Sequence, residues 1–156
     1  MRSTVIGILC IFTVVIWSCN SKPDCRIEPA MTVTIERLDK ELFSMTSKEE
    51  VAKFLNQHKT LTEEFLGSYQ YPDQSYVVNE LWKRIHNPGL DTLIQEVDEV
   101  YADMEDLETD FAKLFTRIKT YYPEFTAPTV QAIITGFGSS ELYITDSLII
   151  IGLEYY

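Results

Sequence analysis

Apolar residues recur along this chain in patterns that predict helices over most of its length and strands towards its end. The longest pattern covers residues 91–121, where apolar side chains follow one another at alternating steps of four and three residues. Such spacing forms one apolar seam on a long helix, or on two helices bent near Asp103. Pro123 ends the pattern. The seam consists of Leu93, Val97, Val100, Met104, Leu107, Phe111, Leu114 and Ile118.

Shorter helices are predicted before this seam. Ser47 followed three residues later by Glu50 is a capping box, in which each residue bonds the other's backbone and opens a helix. The remaining early elements are a strand over residues 32–35, a helical pattern over residues 61–66 that ends at Gly67, and a helix over residues 75–85.

The last part of the chain has the composition of strands. Residues 129–137 are rich in β-branched side chains, and a turn over residues 138–140 leads to a second short strand over residues 142–144. This pattern predicts a β-hairpin that continues into residues 147–152. The fold class is therefore α+β, with a helix-rich part followed by a β-hairpin or small sheet. Because residues 148–156 are strongly apolar with nothing after them to cover them, we expect an incomplete domain, a fragment of a longer one.

The first residues of the chain read as an export signal. Arg2 provides a positive start, and residues 5–17 are almost wholly apolar but too short for a membrane span of about 20 residues. Ser18 then precedes Cys19, and the surrounding residues 16–19 resemble a bacterial lipobox. We predict that residues 1–18 are a lipoprotein signal peptide cleaved after Ser18, and that Cys19 carries the lipid.

Two other interpretations of this signal stay open. The segment could be an uncleaved anchor, or the signal of an ordinary secreted protein with Cys19 as a passenger. Either one places the remainder outside the cytoplasm. Residues 19–30 are polar, contain two prolines and show no periodicity, so we predict a flexible tether there and a folded part over residues 31–156.

The net charge of the chain and the positions of its cysteines exclude some classes of function and one kind of stabilising bond. Without residues 1–18 the chain has 12 Lys and Arg against 24 Asp and Glu, a net charge of −12, since Arg2 is the one charged residue removed. This acidity argues against nucleic acid as a partner and against adhesion through anionic headgroups. With Cys19 acylated and Cys10 in the signal, Cys25 is left alone, so no internal disulfide is expected.

The residues offer little for catalysis or metal binding. His58 and His86 are 28 residues apart and no HExxH helix is present, so we expect helix-end or surface histidines and neither a metal nor a cofactor. The acidic run between Asp98 and Asp110 lacks the ligand order and the glycine of a calcium loop, and is typical of a solvated helix face. We therefore predict no catalytic residue in this chain.

Aromatic side chains are the remaining candidates for contact with a partner. Tyrosine is enriched at interfaces, although it also serves in packing. The candidates are Tyr121, Tyr122, Tyr155 and Tyr156, the last two being expected to meet the missing remainder of the domain.

Four segments of the chain together carry a family resemblance: Cys19 with its lipobox-like surroundings, residues 33–43 (VTIERLDKELF), residues 115–124, which end in Tyr-Tyr-Pro-Glu, and residues 146–156 (DSLIIIGLEYY). They cover nearly the whole chain and resemble the amino-terminal half of the GldB family of gliding-motility lipoproteins of Bacteroidetes. In the last segment the family tends to show a similar apolar run into Gly-Leu-Asp-x-Tyr-Leu-Gly.

The resemblance implies a non-catalytic envelope lipoprotein needed for movement over surfaces, with other gliding or secretion-apparatus proteins as partners. The family also resembles zinc-dependent peptidases of the zincin class, whose HExxH helix would follow residue 156. The alternatives are therefore the first part of such a peptidase-like domain, or a generic periplasmic binding lipoprotein. Lipoproteins that these bacteria export to the cell surface tend to carry acidic residues just after the cysteine, and because residues 20–22 are Asn-Ser-Lys, we expect a periplasm-facing position.

Overall fold

The computed structural model describes residues 30–136 and 139–156. Its strands are β1 (Ile35–Arg37), β2 (Thr129–Ile133), β3 (Leu142–Ile144) and β4 (Leu148–Gly152). Its α-helices are α1 (Leu38–Phe43), α2 (Lys48–Gln57), α3 (Gln74–Ile85), α4 (Pro88–Val100) and α5 (Glu105–Tyr121). A π-helical turn (Leu61–Phe65) and two 3₁₀ turns (Ser68–Gln70 and Leu153–Tyr155) complete the described elements. The α+β class is confirmed.

Local signals explain where the helices begin and end. Ser47 and Glu50 form the predicted capping box, each side chain bonding the other's backbone N–H. Asp73 caps α3 by accepting from Ser75 N, and Asn87 caps α4 by accepting from Gly89 N, with Pro88 as the first residue of that helix. The predicted stop at Gly67 is confirmed, because this glycine adopts a left-handed φ of 65° that side-chain-bearing residues rarely adopt.

The long apolar seam forms two helices, α4 and α5, with the break where it was predicted. Met104 has a φ of 58° and ends the connection between them, and Asp103 Oδ1 accepts from Glu105 N at the start of α5. The prediction that all residues of the seam share one apolar side is partly wrong. Val100 is 71% exposed and Leu114 is 49% exposed, because the break rotates the two helices relative to one continuous helical register.

The sheet differs from the predicted hairpin arrangement. The strand order is β1-β2-β4-β3, in which β2 pairs in parallel with both β1 and β4, and β3 pairs antiparallel with β4. The predicted hairpin between residues 129–137 and 142–144 is therefore wrong, since β4 lies between these strands. The hairpin that forms joins β3 to β4 through residues 145–147. The first strand covers Ile35–Arg37 and not residues 32–35.

Side chains of β2 and β4 alternate between two apolar cores, one on each face of the sheet. Ile133 and Ile150 face a core formed with α1, α2, α3 and the π-helical turn, which we call the first helical layer. Val130, Ala132 and Ile151 face a core formed with α4 and α5, the second helical layer. Parallel strands are normally covered on both faces of the sheet, as β2 and β4 are here.

The apolar run near the end of the sequence is the centre of this sheet. Ile150 is fully buried between β2 and β3, and Leu153 is 1% exposed. The expectation of an uncovered apolar ribbon is wrong, because helices that precede it in the sequence cover both of its faces. Among the described residues, no helix is long and apolar enough to cross a membrane.

Candidate functional site

The predicted lipidation site and cleavage site, Cys19 and Ser18, lie outside the described residues, as does the tether up to residue 29. The structure shows where the chain from them joins the domain. Met31 N donates to Thr116 Oγ1 over 2.9 Å, and Ile35 N donates to Glu108 Oε1 over 2.8 Å. Residues 31–35 therefore run along α5 from its carboxyl-terminal half towards its first turn.

Two of the predicted contact tyrosines lie at the carboxyl end of α5, close to the bond between Met31 and Thr116. Tyr121 and Tyr122 are each 70% exposed. Leu114 and Arg117, on the preceding two turns, are also exposed. The structure thus brings exposed aromatic, aliphatic and cationic side chains together at one end of the second helical layer.

The other two predicted contact tyrosines lie apart from these and differ from each other. The Tyr155 ring is half-buried, and its hydroxyl donates to the Ser139 carbonyl oxygen over 2.9 Å. Tyr156 is 64% exposed. Tyr155 therefore helps to hold the segment between β2 and β3, a role that the sequence pattern did not indicate.

A buried carboxylate joins the carboxyl ends of β2 and β4. Glu154 Oε1 accepts from both the backbone N–H and the hydroxyl of Thr135, over 2.8 and 2.7 Å. Arg84 Nη1 donates to the Thr135 carbonyl oxygen over 3.2 Å, so α3 is attached at the same place. The sequence pattern does not predict this group. Its only signal in the sequence is an acidic residue directly after an apolar run.

A second polar group joins β1, α1 and α4. Arg37 donates to both carboxylate oxygens of the buried Asp39, to Asp98 and to the Tyr101 carbonyl oxygen. Hydrogen bonding and attraction to Asp39 raise the pKa of the Arg37 guanidinium, although burial opposes this. We call Arg37, Asp39, Lys40 and Asp98 the ion cluster.

Asp98 completes the ion cluster and shows that the acidic run is more than a solvated face. Burial would raise the pKa of its carboxyl group, but hydrogen bonds from Lys40 and Arg37 outweigh burial and hold that pKa below its ordinary value. Glu108, from the same run, accepts the Ile35 backbone bond. The prediction of a solvated face is therefore wrong at these two positions, because partners distant in sequence reach them.

Both histidines lie at helix ends, as predicted. His58 is the residue after α2 and packs on Phe54, and His86 is the residue after α3, with Nδ1 at 3.0 Å from the Trp82 carbonyl oxygen. No three His, Cys, Asp or Glu side chains among the described residues form a group that could hold a metal ion. A surface depression of about 230 Å³ lies beside Met45 and Phe54.

Comparison with known proteins gives one match. Neither the curated proteins nor the solved structures contain a match to the chain. The family model described as gliding motility protein GldB matches residues 18–156, which include Cys19 and all of the described domain. This family is one of gliding motility-associated lipoproteins. The chain belongs to the gliding motility protein GldB family.

Proposed function

We propose that this chain is a lipid-anchored protein of the bacterial cell envelope that acts in gliding motility without catalysing a reaction. The observation that carries the proposal is the family match, which begins at Ser18 and extends through residue 156. The matched range includes the cysteine that the sequence pattern marks for lipidation. Cleavage after Ser18 would leave Cys19 as the first residue of the mature chain.

The physical chemistry of the anchor supports this proposal. One acyl chain gives marginal, reversible attachment, at about 0.8 kcal/mol per buried methylene, whereas two or more chains hold a protein stably. A cysteine with a diacylglyceryl group and an acylated amino group therefore holds the domain at the bilayer. The apolar residues 5–17 are too few to span the hydrocarbon core themselves.

The domain's work at the membrane is to bind other proteins of the gliding or secretion apparatus. Three of the four predicted contact tyrosines, Tyr121, Tyr122 and Tyr156, lie on the accessible surface, and this exposure supports contact with a partner. The residues Asn20, Ser21 and Lys22 after the anchor favour a periplasm-facing position.

Labelling with a fatty acid tests the anchor, and the chain contains its own controls. We expect labelled palmitate to enter the wild-type protein and the Cys10→Ala and Cys25→Ala variants, because Cys10 lies within the signal and Cys25 is not the residue directly after the cleavage site. The Cys19→Ala variant should remain unlabelled and leave the membrane fraction. Label retained in Cys19→Ala would refute Cys19 as the anchor.

A motility assay tests the biological role. We expect a clean deletion to abolish spreading on agar, and restoration by the wild-type gene but not by a Cys19→Ala gene expressed at the same level. Normal spreading of the deletion strain would refute a role in gliding.

A further inference from the structure

One end of α5 exposes side chains that suit the surface of a membrane. Leu114 and Tyr121 are seven residues apart with Arg117 between them, so the three share one side of the helix, and Tyr122 follows at its end. Leu114 is 49% exposed and both tyrosines are 70% exposed. We call these four residues the α5 end patch.

The backbone of the α5 end patch is held firmly. Tyr122 N donates to the Ile118 carbonyl oxygen over 2.8 Å, and Phe125 N donates to the Tyr122 carbonyl oxygen over 2.9 Å. Lys119 Nζ also donates to the Phe125 carbonyl oxygen over 2.7 Å. The two tyrosines are therefore presented by a fixed turn, which limits the conformational entropy lost when they contact a surface.

The chain from the anchor joins the domain beside this patch. Met31 is bonded to Thr116, and Thr116 precedes Tyr121 by five residues, a rise of about 7.5 Å along the helix. Cys19 lies twelve residues before Met31, and twelve residues reach at most about 40 Å. A bilayer that holds Cys19 is thus always within reach of the α5 end patch.

The distribution of charge along α5 also favours a position with its carboxyl end towards the bilayer. Glu105, Asp106 and Glu108 lie in its first turn, whereas Arg117 and Lys119 lie in its last turns. The helix has 17 residues and is about 25 Å long, several times the screening length of about 8 Å at physiological ionic strength. The carboxyl end of α5 is therefore the end that an anionic bilayer repels least, although the exposed Glu124 lies two residues after Tyr122 and the chain from Cys19 onwards carries a net charge of −12.

We propose that the α5 end patch rests on the phospholipid surface to which the chain is anchored, with Tyr121 and Tyr122 at the level of the headgroups. Tyrosine has an apolar ring and a polar hydroxyl, and it is enriched at this level in membrane proteins. The proposal rests on the lipid anchor at Cys19, and it adds an orientation: α5 points its acidic end away from the bilayer and its tyrosines into the interface.

The test uses tryptophan as a depth probe in the full lipidated chain. Tyr121→Trp is made in a Trp82→Phe background, and the protein is reconstituted into vesicles of phosphatidylethanolamine and phosphatidylglycerol with and without brominated acyl chains. Tyr69→Trp in the same background is the matched control. Tyr69 is 71% exposed, close to the 70% of Tyr121, but it lies in the 3₁₀ turn between the π-helical turn and α3, two elements of the first helical layer.

We expect brominated lipid to quench the Tyr121→Trp protein about twofold more than the Tyr69→Trp protein, with a blue-shifted emission, because an indole at the interface is close to the acyl chains. Equal quenching of both probes in protein that floats with the vesicles would overturn the orientation and leave the anchor intact. Failure of the wild-type protein to float with the vesicles would overturn the anchor and the orientation together.

Discussion

The two helical layers cover the same sheet but differ in the residues to which their helices are hydrogen-bonded. In the first layer, neighbouring helices bond each other: Lys48 Nζ donates to Asn79 Oδ1, and Gln74 Nε2 donates to Asn56 Oδ1. In the second layer, α4 and α5 are bonded to the segment over residues 31–40. Those bonds join residues 58 to 85 positions apart, against 18 and 31 positions for the bonds between helices of the first layer.

This difference indicates where a pull on the anchor would enter the fold. A chain held at Cys19 transmits force to Met31, and from there to α5, before any residue of the first layer is reached. The helices of the first layer bond each other over shorter separations, and α3 also bonds Thr135 after β2, while the second layer is the part bonded to the anchored segment. We expect the largest consequences for attachment and orientation from changes in the second layer.

Truncation of one buried phenylalanine in each layer tests whether the layers unfold together. Phe54 is 1% exposed in the first layer and Phe115 is 2% exposed in the second. We expect Phe54→Ala and Phe115→Ala each to lower the free energy of unfolding by about 3–5 kcal/mol, because each leaves a cavity in a core that shares the sheet. Urea unfolding of the detergent-solubilised chain, followed by Trp82 fluorescence, measures this.

The same experiment has a clear contrary outcome. Trp82 lies in the first layer, so a Trp82 transition that Phe115→Ala leaves unchanged would show that the layers unfold separately. Leu114→Ala is the surface control, with an expected change within about 0.5 kcal/mol.

Removal of a carboxylate from the ion cluster tests the connection of the second layer. Asp39 is 1% exposed and bonds Arg37 with both oxygens. We expect Asp39→Ala to cost about 2 kcal/mol in thermal or urea unfolding, less than the 3–5 kcal/mol of a fully buried pair, because Asp98 and the Tyr101 carbonyl oxygen still accept from Arg37. Asp39→Asn should cost less than Asp39→Ala. An unchanged free energy of unfolding in Asp39→Ala would show that the bonds between Asp39 and Arg37 contribute nothing to stability.

Loss of the capping box gives a smaller effect, confined to the first layer. Ser47→Ala removes the side-chain acceptor for Glu50 N, and we expect it to lower the free energy of unfolding by about 1 kcal/mol. Ser47→Asp keeps an acceptor at this position and should stay near wild type. Equal losses in both variants would contradict the capping interpretation.

The smallest expected effect is on the stability of the domain at low pH. The pKa of Asp98 is lowered in the folded state, so its contribution to stability is complete above the ordinary unfolded value of about 3.9 and is lost as the pH falls through the folded value. We expect Asp98→Asn to be less stable than wild type by up to about 1 kcal/mol at pH 7, with the difference closing below about pH 4. A difference that persists at pH 2 would assign the effect to packing.

Features set by neighbouring residues could be predicted from the sequence, whereas long-range pairings could not. The Ser47 cap, the stop at Gly67 and the break near Asp103 each depend on a few adjacent residues, and all three are confirmed. The order of the strands depends on which strands meet in space, and β4 inserts between β2 and β3, against the expectation of sequential pairing.

The candidate site divides in the same way. Exposure of Tyr121 and Tyr122 follows from their place at a helix end before Pro123, and their contact with a partner stays a prediction. The ion cluster joins Arg37 to a residue 61 positions away, and the Glu154–Thr135 pair spans 19 positions across two parallel strands. No periodicity or motif reports such pairs, because each is created by tertiary packing.

The mature mass of the protein tests the central claim most directly. Intact mass spectrometry of the chain purified from the cell envelope, followed by fragmentation of its amino-terminal peptide, identifies the first residue and its modification. We predict that the chain begins at Cys19 and carries a diacylglyceryl group together with an acyl group on its amino nitrogen. A chain that retains residues 1–18, or that begins at an unmodified residue, would contradict the account.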